Sequence, residues 1–221
     1  MQPAYQVAAP ELVALDRIAA APVAQTPYTY FVAHDILSWD EQPRLRADFP
    51  LIKRPGFFPL SILPRRGAFD ELLQTLESPE LSALVGDKLG IDLRDKPRLI
   101  TIRQWSTAKD GYIHNDSESK IVTALFYLNE TWPHGDAGAF RVLKSEHDFE
   151  DAVETIQPLY GTMVAFKRND ISWHGHQPVN GERRVVQVTW LRSWEDHARK
   201  TNRGKRAFFL KKIFSRQPTM M

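Results

Sequence analysis

The 221 residues contain no cysteine. Disulfides, thiolate zinc sites and iron–sulfur clusters are therefore excluded. Any bound metal must be held by imidazole and carboxylate. No apolar run approaches the roughly 18 residues of a membrane span. Neither sign of charge dominates: 29 Lys and Arg stand against 27 Asp and Glu, a net charge of +2. That balance gives no global attraction to polyanions. Residues 1–25 are rich in Ala and Pro, but Glu11, Asp16 and Arg17 interrupt them and no basic segment precedes them, so no secretory leader is legible. The expectation is a cytoplasmic protein without a membrane span. Internal repeats and low-complexity tracts are also missing.

What is present suits one domain with one sizeable core. Residues 1–30 read as a variable lead-in. From Gly67 to Gly90 the pattern predicts two short helices. Phe69, Leu72, Leu73 and Leu76 recur at helical spacing. Ser78-Pro79-Glu80 then supplies an N-cap, a first-turn proline and an acid at the positive helix end. Leu81, Leu84, Val85 and Leu89 continue the apolar face, and Gly90 offers a stop. After Pro97 short β-rich runs alternate with turns: Leu99–Trp105, Ile121–Leu128, Ala139–Leu143, Thr162–Lys167, Ile171–His176 and Arg184–Leu191. Such spacing argues for a sandwich or jelly roll, mainly β with helical N-terminal support. The expected division is a helical buttress over 1–96, a β-core over 97–193 and a basic amphipathic segment over 194–221.

The chemistry lies in a split set: His114-Asn115-Asp116, and far downstream Ser172-Trp173-His174-Gly175-His176 followed by Arg184. In an extended strand, residues i and i+2 share a face. His114 and Asp116 can thus converge on one ion, with the third ligand coming from another strand. His174 is the better candidate and His176 the rival on the same strand face. Two imidazoles and one carboxylate suit non-haem Fe(II) and leave positions open for oxygen chemistry. Each piece alone is weak evidence, since His-x-Asp is common without a metal. Arg184 opens a strand and could grip a carboxylate with two charge-assisted hydrogen bonds. Arg183 beside it points the opposite way, so only one of the two faces the core. Sequons at Asn115 and Asn129 read as chance, because a glycan at Asn115 would obstruct the site.

Over roughly residues 98–192 the chain resembles the 2-oxoglutarate- and Fe(II)-dependent dioxygenases, in their prolyl-hydroxylase-like branch. The resemblance is carried by Gly111-Tyr112-Ile113-His114-Asn115-Asp116, by Thr123-Ala124-Leu125-Phe126-Tyr127-Leu128-Asn129, by Gly138-Ala139-Phe140-Arg141-Val142-Leu143, and by Trp173-His174-Gly175-His176-Gln177-Pro178-Val179 with Gly181-Glu182-Arg183-Arg184. It implies a double-stranded β-helix. It implies His114, Asp116 and His174 as iron ligands, and places His176 at a usually apolar position near the substrate mouth. It further implies that Arg184 and Tyr127 bind the distal carboxylate of 2-oxoglutarate, with Trp105 as another cosubstrate contact. The implied reaction couples decarboxylation of 2-oxoglutarate to succinate with hydroxylation of an unactivated C–H bond by O2, with ascorbate as a reductant. The retained Asp116 favours hydroxylation over halogenation.

Tyr112, His134 and His176 are candidate substrate contacts, and Trp105, Trp132 and Trp173 cluster beside the ligands in sequence. For Trp132 and Trp173 ordinary strand packing is the better reading. Phe57-Phe58 reads as a loop over the barrel. Arg199–Arg216 holds eight basic and no acidic residues, with Phe208, Phe209, Ile213 and Phe214 as an apolar stripe. A helix packing its aromatics on the domain is favoured there over a nucleic-acid or other polyanion contact. The expected substrate is a prolyl or peptidyl side chain or a small amino acid. Two other readings stand beside the hydroxylase: a cupin-type metal dioxygenase without an oxoacid, and a non-catalytic jelly roll that binds sugar or peptide.

Overall fold

The structure is a computed structural model that describes residues 12–214. Its strands are β1 (Val23–Ala24), β2 (Tyr30–Ala33), β3 (Phe58–Pro59), β4 (Arg98–Ser106), β5 (Lys120–Tyr127), β6 (Phe140–Leu143), β7 (Ala152–Ile156), β8 (Met163–Lys167), β9 (His174–Gly175) and β10 (Gly181–Leu191). Its helices are α1 (Leu15–Ala20), α2 (Gln42–Asp48), α3 (Gly67–Leu76), α4 (Pro79–Leu89) and α5 (Trp194–Phe214). Seven strands form an antiparallel sheet in the order β1-β2-β8-β5-β10-β4-β3. A smaller antiparallel sheet runs β7-β6-β9. An isolated antiparallel bridge between His114 and His174 extends it by one more segment. The two facing sheets make the expected double-stranded β-helix.

Alternation along the strands builds two cores. On β5, β8 and β10, Val122, Ala124, Phe126, Met163, Ala165, Val186, Val188 and Trp190 pack toward the helices with Phe69, Leu72, Leu76, Leu81 and Val85. Leu125, Tyr127, Val164, Phe166 and Val185 face the other way, against Phe140, Val142 and Ile156 of the smaller sheet. The central strands are therefore buried on both faces. Trp190 donates its indole N–H to Ser82 Oγ at 2.9 Å, tying β10 to α4.

The two predicted helices form as α3 and α4. Ser78 Oγ accepts from the Leu81 N–H at 3.1 Å, and Gly90 closes α4 in the left-handed region with φ 64°. Three expectations need correction. Residues 12–30 are no mere lead-in: Leu12, Val13 and Ile18 are buried in the core, and β1 and β2 join the large sheet. The Ile171–His176 run pairs only over His174–Gly175. Strand β7 was not foreseen, because polar Glu154 and Thr155 interrupt its apolar pattern. Helix α5 packs Phe208 edge-on against Phe58, with ring centroids 5.3 Å apart. The side chains of Phe209, Ile213 and Phe214 lie outside the described residues.

Candidate active site

The site forms where the smaller sheet meets the inner face of the large one. His114 and His174 exchange backbone hydrogen bonds of 2.9 and 3.0 Å. This pairing sets their imidazoles side by side, with ring centroids 4.4 Å apart. The backbones approach so closely that a Cβ on Gly175 would stand 2.3 Å from the Tyr112 carbonyl oxygen; glycine is required there by space. Asn115 points away from the cluster. Its amide donates to the Asn169 carbonyl at 2.7 Å and its oxygen accepts from Ser172 Oγ at 2.7 Å. The result is that potential ligand atoms of His114, Asp116 and His174 all lie within 4.8 Å of one another.

Protonation suits a cation. Nδ1 of His174 lies 2.8 Å from the Ser172 carbonyl, and Nδ1 of His114 lies 3.2 Å from the Tyr112 carbonyl. A carbonyl only accepts, so each Nδ1 donates, and Nε2 is the ring nitrogen left to face a cation. Burial lowers the pKa of His174 to about 4, against the pull of Asp116. Burial alone would raise the Asp116 carboxyl, but the Lys120 charge, His174 and hydrogen bonds from Lys120 and Thr123 hold it well below the usual carboxylate range. Lys120 Nζ and Thr123 Oγ1 each stand 2.6 Å from one Asp116 oxygen. Two imidazoles and an ionised carboxylate fit a divalent metal such as iron.

A cavity of about 340 Å³ opens on this cluster, with Phe57, Thr101, Arg103, Asp110, Tyr112, Lys120, Phe140, Phe166, His176, Arg183 and Gln187 in its wall. The guanidinium that enters it belongs to Arg183, which is 2 % exposed. Arg183 Nε donates to the Gly138 carbonyl at 3.0 Å, and Nη2 lies 3.4 Å from the Tyr127 hydroxyl. Arg184 turns to the opposite face, pairs with Glu182 at 2.7 Å and lies over the Phe49 ring. The arginine in the cavity wall is therefore Arg183 and not the expected Arg184. The adjacent Val185 and Val186 are both fully buried on opposite faces, and the alternation of Gln187 and Thr189 with Val188 and Trp190 does not by itself say which face lines a cavity. A register shift between Glu182 and Val185 adds to the ambiguity.

Two other expectations fail on position. Trp105 sits opposite Glu182 at the far end of β4, 38 % exposed and outside the cavity wall. His134 packs on Trp132 and lines a different surface pocket with Arg46, Glu182 and Arg184. Tyr112 and His176 do line the cavity. His176 has its pKa lowered to about 3 by burial and by Arg183. Neither Trp132 nor Trp173 is in the cavity wall; the Trp132 indole donates to the Ala137 carbonyl, and the Trp173 backbone carbonyl accepts from Tyr28. Arg103, Lys120, Thr101 and Gln187 were not singled out in the sequence, where charged or polar residues in a strand look like solvated positions. Arg103 is held by Asp110 at 3.0 Å and lies 4.3 Å over Phe57. Burial and the nearby Arg183 lower its pKa to about 10. Thr101 Oγ1 and Arg103 Nε are buried without a hydrogen-bond partner in this wall. Buried orphans of that kind, beside two guanidiniums, fit an anionic ligand with acceptor oxygens.

Residues 104–192 match the family model of the 2OG-Fe(II) oxygenase superfamily. These residues are a 2OG-Fe(II) oxygenase core. The oxygenase core carries all three members of the His114–Asp116–His174 cluster, and also Tyr127 and Arg183. Solved structures share its fold at low identity. A prolyl-4-hydroxylase of Pseudomonas putida is 20% identical over 81% of this chain and 92% of its own, with a TM-score of 0.51. A prolyl hydroxylase of Trichoplax adhaerens, in complex with a hypoxia inducible factor peptide fragment, is 15% identical over 76% and 86%, with a TM-score of 0.54. A viral collagen prolyl hydroxylase from Paramecium Bursaria Chlorella virus-1, in a 2OG complex, is 17% identical over 74% and 95%, with a TM-score of 0.51. A search of curated proteins finds no match.

Proposed function

We propose that His114, Asp116 and His174 hold Fe(II), that Arg183 and Tyr127 take the distal carboxylate of 2-oxoglutarate, and that the oxygenase hydroxylates an unactivated C–H bond of a small amino acid or a prolyl or peptidyl side chain. The observation that carries this is one cavity holding both the three-residue cluster and a buried guanidinium that no carboxylate among the described residues pairs. When bound, the metal supplies the O2 activation that side chains cannot. The chain's own residues do the positioning. The Ser172 and Tyr112 carbonyls fix the imidazole tautomers. Thr123 orients the Asp116 carboxylate, with which Lys120 pairs in the absence of a metal. Phe140 stacks on His174 and Phe166 lies against it, giving the cluster a dry wall. Arg183 gives the oxoacid its direction, since a guanidinium binds a carboxylate in a defined plane.

Peptidyl substrates enter this proposal through the prolyl hydroxylases of like fold, an analogy of fold rather than of site. Ascorbate is proposed as the accessory reductant, and cytoplasmic residence belongs to the same reading. Among the described residues no helix is long and apolar enough to cross a membrane. Succinate release that requires both Fe(II) and 2-oxoglutarate, and that is lost in Asp116→Ala, is the expected result. Oxygen uptake without 2-oxoglutarate would point to a cupin-type dioxygenase. No uptake under any condition would point to a binding module.

A further inference from the structure

We infer that the substrate is a small carboxylic acid of amino-acid size, and that Lys120 is the residue that receives its carboxylate. This rests on the oxygenase reading above and names the substrate class of the same site. Charge inside the cavity points there. Its wall holds three cations, Arg103, Lys120 and Arg183, and two anions, Asp110 and Asp116. Arg103 has Asp110 at 3.0 Å. Arg183 meets the neutral Tyr127 side chain and the Gly138 carbonyl, with no carboxylate paired to it among the described residues, and is assigned to the distal carboxylate of the oxoacid. Lys120 pairs with Asp116 at 2.6 Å, but Asp116 is a proposed metal ligand. A divalent ion is balanced by the Asp116 carboxylate and the second carboxylate of the oxoacid. Lys120 is then left with a whole positive charge and no counter-charge.

Among the described residues no ion pair links Lys120 to a second carboxylate. The Lys120 side chain is only 17% exposed. Lys200, bound to Ser117 Oγ at 2.9 Å, adds a second ammonium to the neighbourhood. Asp170 is paired with Arg168, and Asp196 with Arg199. A poorly hydrated, unpaired ammonium is costly, and an anion placed beside it is correspondingly stabilised. One leftover charge calls for a monoanion, hence a carboxylate rather than a phosphate dianion. The cavity of about 340 Å³ must also admit the oxoacid, which leaves room for a small molecule. A neutral prolyl residue inside a polypeptide would leave Lys120 uncompensated.

The test uses the full chain loaded with Mn(II), as a non-turning stand-in for iron, and 2-oxoglutarate. N-acetyl derivatives of the amino acids with non-acidic side chains are titrated calorimetrically as free acids and as carboxamides. At least one acid should bind about tenfold or more tightly than its amide, the value of one charge-assisted hydrogen bond. Lys120→Met should erase that preference and Lys120→Arg should keep it. Mn(II) alone should bind Lys120→Met more tightly than wild type, because a competing ammonium has left Asp116. Absence of any preferred acid, or a preference that survives in Lys120→Met, overturns the inference. Weaker Mn(II) binding by Lys120→Met would overturn it too, and make Lys120 a positioning residue for Asp116. If wild type binds Mn(II) and 2-oxoglutarate and still fails these tests, only this inference falls. If it binds neither, the oxygenase reading falls as well.

Discussion

Arg183 and Arg184 are neighbours in sequence with opposite fates, and exchanging each for alanine separates them sharply. Arg183→Ala removes the buried guanidinium assigned to 2-oxoglutarate. A hydrogen bond to a charged group contributes about 1.5–3 kcal/mol, and each 1.4 kcal/mol is about tenfold. The apparent 2-oxoglutarate affinity should therefore fall by about 10- to 100-fold. The fold also loses the donor to the Gly138 carbonyl, worth roughly 1 kcal/mol. Relief of the repulsion between Arg183 and Arg103 offsets part of that. Arg183→Met keeps most of the side-chain volume and so separates lost charge from a cavity. Arg184→Ala loses an ion pair with the half-exposed Glu182 and its contact with Phe49. Neither touches the cavity, and the cost should stay near ~1 kcal/mol of stability with unchanged 2-oxoglutarate affinity. Calorimetric titration of 2-oxoglutarate into each Mn(II)-loaded variant reads the difference, with thermal unfolding alongside. Weakened binding in Arg184→Ala and wild-type binding in Arg183→Met would refute the reasoning.

Three further outcomes follow from the geometry. His174→Ala should lose Fe(II) and Mn(II) binding while His176→Ala retains it; metal titration showing the reverse would make His176 the ligand. Gly175→Ala would force a Cβ against the Tyr112 carbonyl, so metal affinity should drop by at least tenfold, roughly the effect of disturbing a ligand's supporting contacts; unchanged affinity would mean that the His114 segment is free to move aside. The metal-free protein should lose stability on acidification. His174 and His176 have folded pKa values lowered to about 4 and about 3. The unfolded chain therefore takes up protons first as pH falls below about 6.5. Their contribution is complete above that pH and is lost progressively toward pH 3–4. Denaturant midpoints that stay flat between pH 7 and 4 would contradict this.

The His114–Asp116–His174 cluster was legible because its information is chemical and local. Without cysteine, a His-x-Asp pair in a β-context and a lone downstream histidine leave few alternatives, and the turn residues around them mark the strands. Helices α3 and α4 were equally legible, since Phe69, Leu72, Leu73 and Leu76 follow one face, and Ser78 and Gly90 cap a helix by their own chemistry. Tertiary structure alone decided which arginine enters the cavity. On β10 Gln187 and Thr189 alternate with Val186, Val188 and Trp190, but which of those faces lines a cavity depends on the second sheet, and the shifted register between Glu182 and Val185 weakens counting back to the arginines. It alone also placed Arg103 and Lys120 inward. A lone strand does not distinguish a charge facing solvent from one facing a closed cavity; that depends on the second sheet, whose strands β6, β7 and β9 come from far along the chain.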